Sequence, residues 1–135
     1  MYLHKQLAPP TDVIKFNTDG CFNSSQGKGG WGVAARDSED DVCGSGAGQL
    51  DYVQDALHAE TEACLQALNL AQQWGMQRVQ IETDSQILVQ AINARDYDLS
   101  PNGVLFREIK AVAFLNFTSF SISFSPRTCN KVAYA

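Results

Sequence analysis

Three carboxylates, Asp19, Glu60 and Asp84, stand where a side chain could be aimed at a ligand. Asp84 lies in the stretch 78–94, RVQIETDSQILVQAINA. There a short alternating β-type run (Val79, Ile81 and Thr83, with Gln80 and Glu82 between) gives way to a helical stripe of Ile87, Leu88, Ala91 and Ile92. Ligands of open α/β sheets bind beyond the carboxyl ends of the strands, which is where Asp84 falls. It also has an ordinary explanation, because Asp followed by Ser is a favoured helix N-cap. Glu60 lies four residues after Ala56 and four before Cys64, in a segment whose apolar face is Ala56, Ala63, Cys64, Ala67, Leu68 and Ala71. A carboxylate on that face needs a cation, a hydrogen-bonding partner or a metal, and a structural salt bridge would satisfy it equally well. Glu62 faces the other way and reads as solvated. Asp19 precedes Gly20, a common turn dipeptide, so a hairpin turn is its competing account.

The elements that must position these groups follow from periodicity and breakers. Residues 1–12, with Pro9-Pro10, read as a linker-like lead-in, and 13–135 as one domain. Val13 to Asp19 reads as a strand ended by Asp19-Gly20. Gly29 to Arg36 is a second strand, with Trp31, Val33 and Ala35 on one face. Val42 to Leu50 is a third, glycine-rich one, whose Gly44, Gly46 and Gly48 suggest an edge or close backbone packing. A long helix from Asp55 to Trp74 is stopped by Gly75. After the strand and helix around Asp84 come a loop over 95–102 and a helix from Gly103 to Leu115, with Leu105, Ile109, Val112 and Ala113 on one face. In FTSFSISFS (117–125), Phe120, Ile122 and Phe124 point inward and the serines outward, as in a half-buried strand near a sheet edge. Asn130 to Ala135 would begin a last helix that the chain does not complete. Short turns make the first three strands an antiparallel meander, and a right-handed crossover brings the Asp84 strand beside the first, parallel to it. The expected architecture is α/β: a mixed five-stranded sheet with helices on its faces.

In that sheet Asp19 and Asp84 lie at matching strand ends, and Glu60 projects from the helix packed above them. Three carboxylates without histidine or cysteine suit hard, oxygen-preferring cations, Mg²⁺ or Mn²⁺. The chemistry such a site serves best is phosphodiester cleavage, in which two metals clamp the attacking and leaving oxygens.

Composition sets the frame. The 135 residues form one domain by size, with 44% hydrophobic and 19% charged residues, ordinary for a globular chain. No stretch approaches the roughly 20 apolar residues of a membrane span. The N-terminus lacks a signal-peptide core, so the expected location is intracellular, in nucleus or cytoplasm. Cys21, Cys43, Cys64 and Cys129 are scattered, form no zinc spacing and read as reduced, mostly packed thiols. The net charge of −5 argues against a nucleic-acid binder, although a carboxylate cluster is neutralised when it holds cations. Lys28, Arg36, Arg95, Arg107, Lys110, Arg127 and Lys131 could still form a basic rim. Trp31 and Trp74 could stack on bases, but core packing is the better reading.

The sequence resembles type 1 ribonuclease H domains, in the branch found in plant genomes and related to the tails of reverse transcriptases. The resemblance rests on the Pro9-Pro10 lead-in, Asn17-Thr18-Asp19-Gly20, Ala59-Glu60, Glu82-Thr83-Asp84-Ser85, and Pro126-Arg127 followed by Asn130-Lys131-Val132-Ala133. It implies a hydrolase that cuts the RNA strand of RNA–DNA hybrids with two Mg²⁺ ions, Asp19, Glu60 and Asp84 matching the metal ligands. Contacts to ribose 2′-hydroxyls would supply hybrid selectivity, with Asn23, Lys28, Ser85 and Arg127 as candidate nucleic-acid contacts. Two positions depart from the pattern. The fourth acidic ligand is replaced by Tyr134, and Phe124 stands where a histidine often assists product release. A phenol with a pKa near 10 is a poor Mg²⁺ ligand. The alternatives are therefore a catalytically impaired pseudoenzyme that still grips nucleic acid, or a protein-interaction module within a larger chain.

Overall fold

A computed structural model describes residues 12–126 and, as backbone, 2–5. Its elements run β1 (Tyr2–Lys5), β2 (Val13–Asn23), β3 (Lys28–Arg36), β4 (Val42–Leu50), α1 (Ala56–Gln73), β5 (Arg78–Thr83), α2 (Gln86–Asn93), α3 (Gly103–Asn116) and β6 (Ser119–Phe124). The strands form one sheet in the order β1-β4-β3-β2-β5-β6. The five expected strands are all present: β2, β3 and β4 make the antiparallel meander, and β5 and β6 join it in parallel. Segment 2–5, expected to be part of a linker, instead adds a sixth strand by pairing with Gly44–Ala47 of β4. Four residues are too few for a periodic signal, and the pairing that holds them is supplied by the backbone of β4. Pro9-Pro10, Arg127, Cys129, Lys131, Tyr134 and the last helix expected over 130–135 lie outside the described residues.

The core lies between the sheet and the helices. Ile14 and Phe16 of β2, Val33 and Ala35 of β3, and Val79 and Ile81 of β5 meet Ala63, Ala67, Leu68 and Ala71 of α1 and Phe106 and Ile109 of α3. Trp31 is buried, and Trp74 stacks on Phe16 with ring centroids 6.4 Å apart, so both tryptophans serve packing. Asp55 caps α1, its carboxylate accepting the His58 N–H at 2.7 Å. At the other end Gly75 takes φ +71°, a conformation that suits glycine, and closes the helix as expected.

Three expected patterns are revised. Ala56 and Ile87 are exposed, because each sits in the first turn of its helix, short of the packed surface. In β6 the alternation fails at its end, where Phe124 is 44% exposed and Ser125 is buried with its N–H on Thr83 O. The largest revision concerns Asp19-Gly20. No turn occurs there: β2 continues through both residues, pairing Asp19 with Gly32 and Gly20 with Trp31, and the chain reverses only after Asn23.

Candidate metal centre

Gly20 explains why the strand needs a glycine in its interior. A Cβ on Gly20 would lie 2.3 Å from the backbone carbon and oxygen of Ala59 and 2.6 Å from the Glu60 nitrogen. The main chain of α1 therefore rests directly on the main chain of β2, one residue from Asp19. That close approach brings the Glu60 carboxylate down to the strand. Gly20 also donates its backbone N–H to that carboxylate, which favours the ionised form.

Asp84 follows the last residue of β5, the strand parallel to β2. The pairing of β2 with β5 ends at Asn17 and Glu82, so Asp19 and Asp84 lie just beyond the last rung, at matching ends. The cap of α2 is Ser85, whose Oγ accepts the Leu88 N–H at 3.2 Å. Asp84 is thus not the N-cap, and Ser85, a candidate nucleic-acid contact, has a structural task of its own. The backbone N–H of Ser85 is held in turn by Thr83 Oγ1 at 3.2 Å.

Asp19, Glu60 and Asp84 each place a carboxylate oxygen within 4.8 Å of the other two. Asp19 is 2% exposed, Glu60 6%, and Asp84 is half-buried. Among the described residues no histidine or cysteine belongs to the cluster. Burial, then the charges of Asp84 and Asp19, push the Glu60 pKa from 4.5 up to about 8. Among the described residues, Glu60 Oε2 is buried without a hydrogen-bond partner. Among the described residues no salt bridge reaches Glu60. An acidic cluster of this kind, with an unsatisfied oxygen facing two further carboxylates, suits a divalent cation. Glu62, expected to be solvated, approaches His58 Nε2 at 3.6 Å. Cys64, one turn along from Glu60, is fully buried; burial first, and the Glu60 charge second, push its thiol up to about 12.

Of the other candidate contacts, Asn23 and Lys28 pair across the end of the β2–β3 hairpin, and Asn23 Oδ1 accepts the N–H and hydroxyl of Ser25 within the turn. They line an open cleft of about 420 Å³ with Cys21, Phe22, Gln26 and Gln49. Among the described residues of the basic rim, three make contacts within the fold. Lys110 bonds Asp98 and the Ala94 carbonyl, Arg107 donates to the Asp98 carbonyl, and Arg36 to that of Asp40. The sequence reading missed the packing role of Gly20 and the cap at Ser85. A glycine one residue from a candidate carboxylate was the available signal for the first, and the adjacency of Ser85 to the helical stripe for the second.

Comparison with known proteins agrees with this fold. RNase H1 from the halophilic archaeon Halobacterium salinarum NRC-1 superposes with a TM-score of 0.74 at 22% identity, covering 90% of this chain and 92% of that one. The N-terminal RNase H domain of Rv2228c from Mycobacterium tuberculosis gives 0.81 at 19% identity, covering 91% and 88%. LC11-RNase H1, isolated from compost and solved in complex with an RNA/DNA hybrid, gives 0.80 at 22% identity, covering 90% and 91%. Among curated proteins no sequence matches. The family model described as reverse transcriptase-like matches residues 17–135. A match over nearly the whole chain, on a sheet shared with these RNase H structures, shows that the protein belongs to the reverse transcriptase-like family and is an RNase H-like domain.

Proposed function

We propose that this domain is a divalent-metal-dependent endonuclease that hydrolyses the RNA strand of RNA–DNA hybrids, with Asp19, Glu60 and Asp84 as metal ligands. The observation that carries the reading is the convergence of these three carboxylates, from β2, α1 and the β5–α2 junction, within 4.8 Å. Mg²⁺ or Mn²⁺ held there would supply Lewis-acid activation of a water and stabilisation of the leaving oxygen, the two-metal chemistry of phosphodiester hydrolysis. The chain's own residues do the rest. Asp19 and Glu60 would offer their buried carboxylates to the ion, Gly20 lets the main chain of α1 rest on β2 beside Asp19, and Ser85 anchors the helix that follows Asp84. A hybrid-bound relative of the same fold supports the choice of substrate.

A second reading is favoured by Tyr134, which stands where the resemblance places a fourth carboxylate. Its phenol carries no charge at neutral pH, and the protein would then be an impaired enzyme acting as a nucleic-acid-binding or interaction module. Cleavage of an end-labelled RNA–DNA hybrid in Mg²⁺ and in Mn²⁺ separates the two. Cutting by the native chain, lost in Asp84→Asn, supports the enzyme. Silence of the native chain with activity in Tyr134→Asp supports the disabled enzyme. Silence of both folded proteins refutes catalysis.

A further inference from the structure

The last strand of the sheet has an open side that its sequence does nothing to protect. β6 pairs with β5 alone, and among the described residues nothing pairs with its outer edge. From the start of β6 onward the hydrogen bonds to the β5 side come from odd-numbered residues: Ser119 N–H reaches Gln77 O, which Thr118 N–H also reaches just before the strand, and Ser125 N–H reaches Thr83 O. Backbone groups of a strand point alternately to its two sides, so the N–H and C=O groups of Phe120, Ile122 and Phe124 face outward. Edges of this sort are normally blunted by lysine, proline or a bulge. Residues 111–126 contain no charged residue, and SFSISF (119–124) contains no proline. Beside this edge lies an open groove of about 480 Å³ of mixed character, where Phe114 (85% exposed), Phe117 and Phe120 form an aromatic wall and Asn93 and Lys110 add polar groups.

We propose that a second copy of this chain pairs with the outer edge of β6, antiparallel about a two-fold axis through Ile122. The register follows from the outward-facing residues. An axis at Ile122 sets Ile122 opposite its own counterpart and Phe120 opposite Phe124 of the other copy, and each such pair exchanges both N–H···O bonds. Residues directly opposite each other share a face, so Ser121 meets Ser123 and apolar side chains meet apolar ones. No other feature of the chain is needed, because the strand is complementary to itself in this register. The second copy's Phe124, 44% exposed in the single chain, comes beside Phe120 at the mouth of the groove. The absence of charge along 111–126 lets two copies that each carry a net −5 meet on this side. The assembly is a continuous sheet across two domains, and it stands independently of the metal reading.

Analytical ultracentrifugation of the full chain, from micromolar to near-millimolar concentration, tests this with two double variants at the exposed serines. Ser121→Lys with Ser123→Lys places like charges opposite each other twice across the axis, and weakens the dimer about tenfold or more. Ser121→Lys with Ser123→Glu places Lys opposite Glu in the same register and keeps the dimer. Thermal melts and far-ultraviolet circular dichroism confirm that both variants fold. A native chain that stays monomeric throughout overturns the proposal. So does a dimer indifferent to the lysine pair, or one lost equally in both variants.

Discussion

Replacing Glu60 with glutamine should make the metal-free protein more stable at alkaline pH. Glu60 ionises near 4.5 when exposed, but in the fold it keeps its proton until about pH 8, because burial and the charges of Asp84 and Asp19 disfavour the anion. Between these values the folded chain binds more protons than the unfolded one, so stability falls as pH rises through the window and levels off above it. At about 1.4 kcal/mol per pKa unit the full displacement amounts to roughly 4–5 kcal/mol. Relaxation and sharing of charge among the three carboxylates reduce the realised loss to about 2–4 kcal/mol. The substituted glutamine has no proton to lose, and its amide oxygen can still accept the Gly20 N–H. Urea unfolding in EDTA from pH 5 to pH 9 should therefore show a declining free energy for the native chain and a flat one for Glu60→Gln. The two curves should meet near pH 5. Excess Mg²⁺ or Mn²⁺ should restore the native chain at pH 9 and leave the variant unchanged, since only the former keeps all three carboxylates. A native curve that is flat in EDTA, or a variant no more stable than the native chain at pH 9, would refute the argument that the cluster is electrostatically strained without a cation.

Gly20→Ala should cost about 1–3 kcal/mol or more by overpacking and weaken Mn²⁺ binding at the same time, because the added Cβ meets the main chain of α1. Calorimetric Mn²⁺ titration beside urea unfolding checks both effects, and unchanged metal affinity would remove Gly20 from the positioning of Glu60. Ser85→Ala should lose about 1 kcal/mol of cap stability; an unchanged free energy in urea unfolding would remove Ser85 from the cap of α2. Alkylation followed by mass spectrometry should label the exposed Cys21 quickly, and the buried Cys43 and Cys64 only on unfolding, the Cys64 thiol being held up to about 12. Rapid labelling of Cys64 in the folded chain would contradict its burial.

Much of this architecture was legible because local pattern and tertiary packing agree. The Ala and Leu spacing of α1 located both its buried face and the anomalous Glu60 within it. The alternation of β5 and its placement beside β2 put Asp84 opposite Asp19. The failures have a common cause in long-range contacts. Asp19-Gly20 has the composition of a turn, yet the strand runs on because Gly20 serves contact with a helix some forty residues away in sequence. Segment 2–5 carries no pattern of its own and is a strand only by virtue of β4. In α3 the spacing through Leu105 points one residue short of the packed face, where Phe106 is fully buried and Leu105 only partly. Ser85 rather than Asp84 caps α2, a one-residue choice made by the direction in which the chain leaves β5.

The three carboxylates come from segments that are far apart in the chain and meet only once β2, α1 and β5 have all docked. Loop closure on that scale is completed late on a folding route, after local helices and hairpins have formed. An ion bound there would find no site in a half-assembled chain. It should act as a latch, lengthening the lifetime of the folded state by slowing unfolding, while leaving the rate of folding almost unchanged.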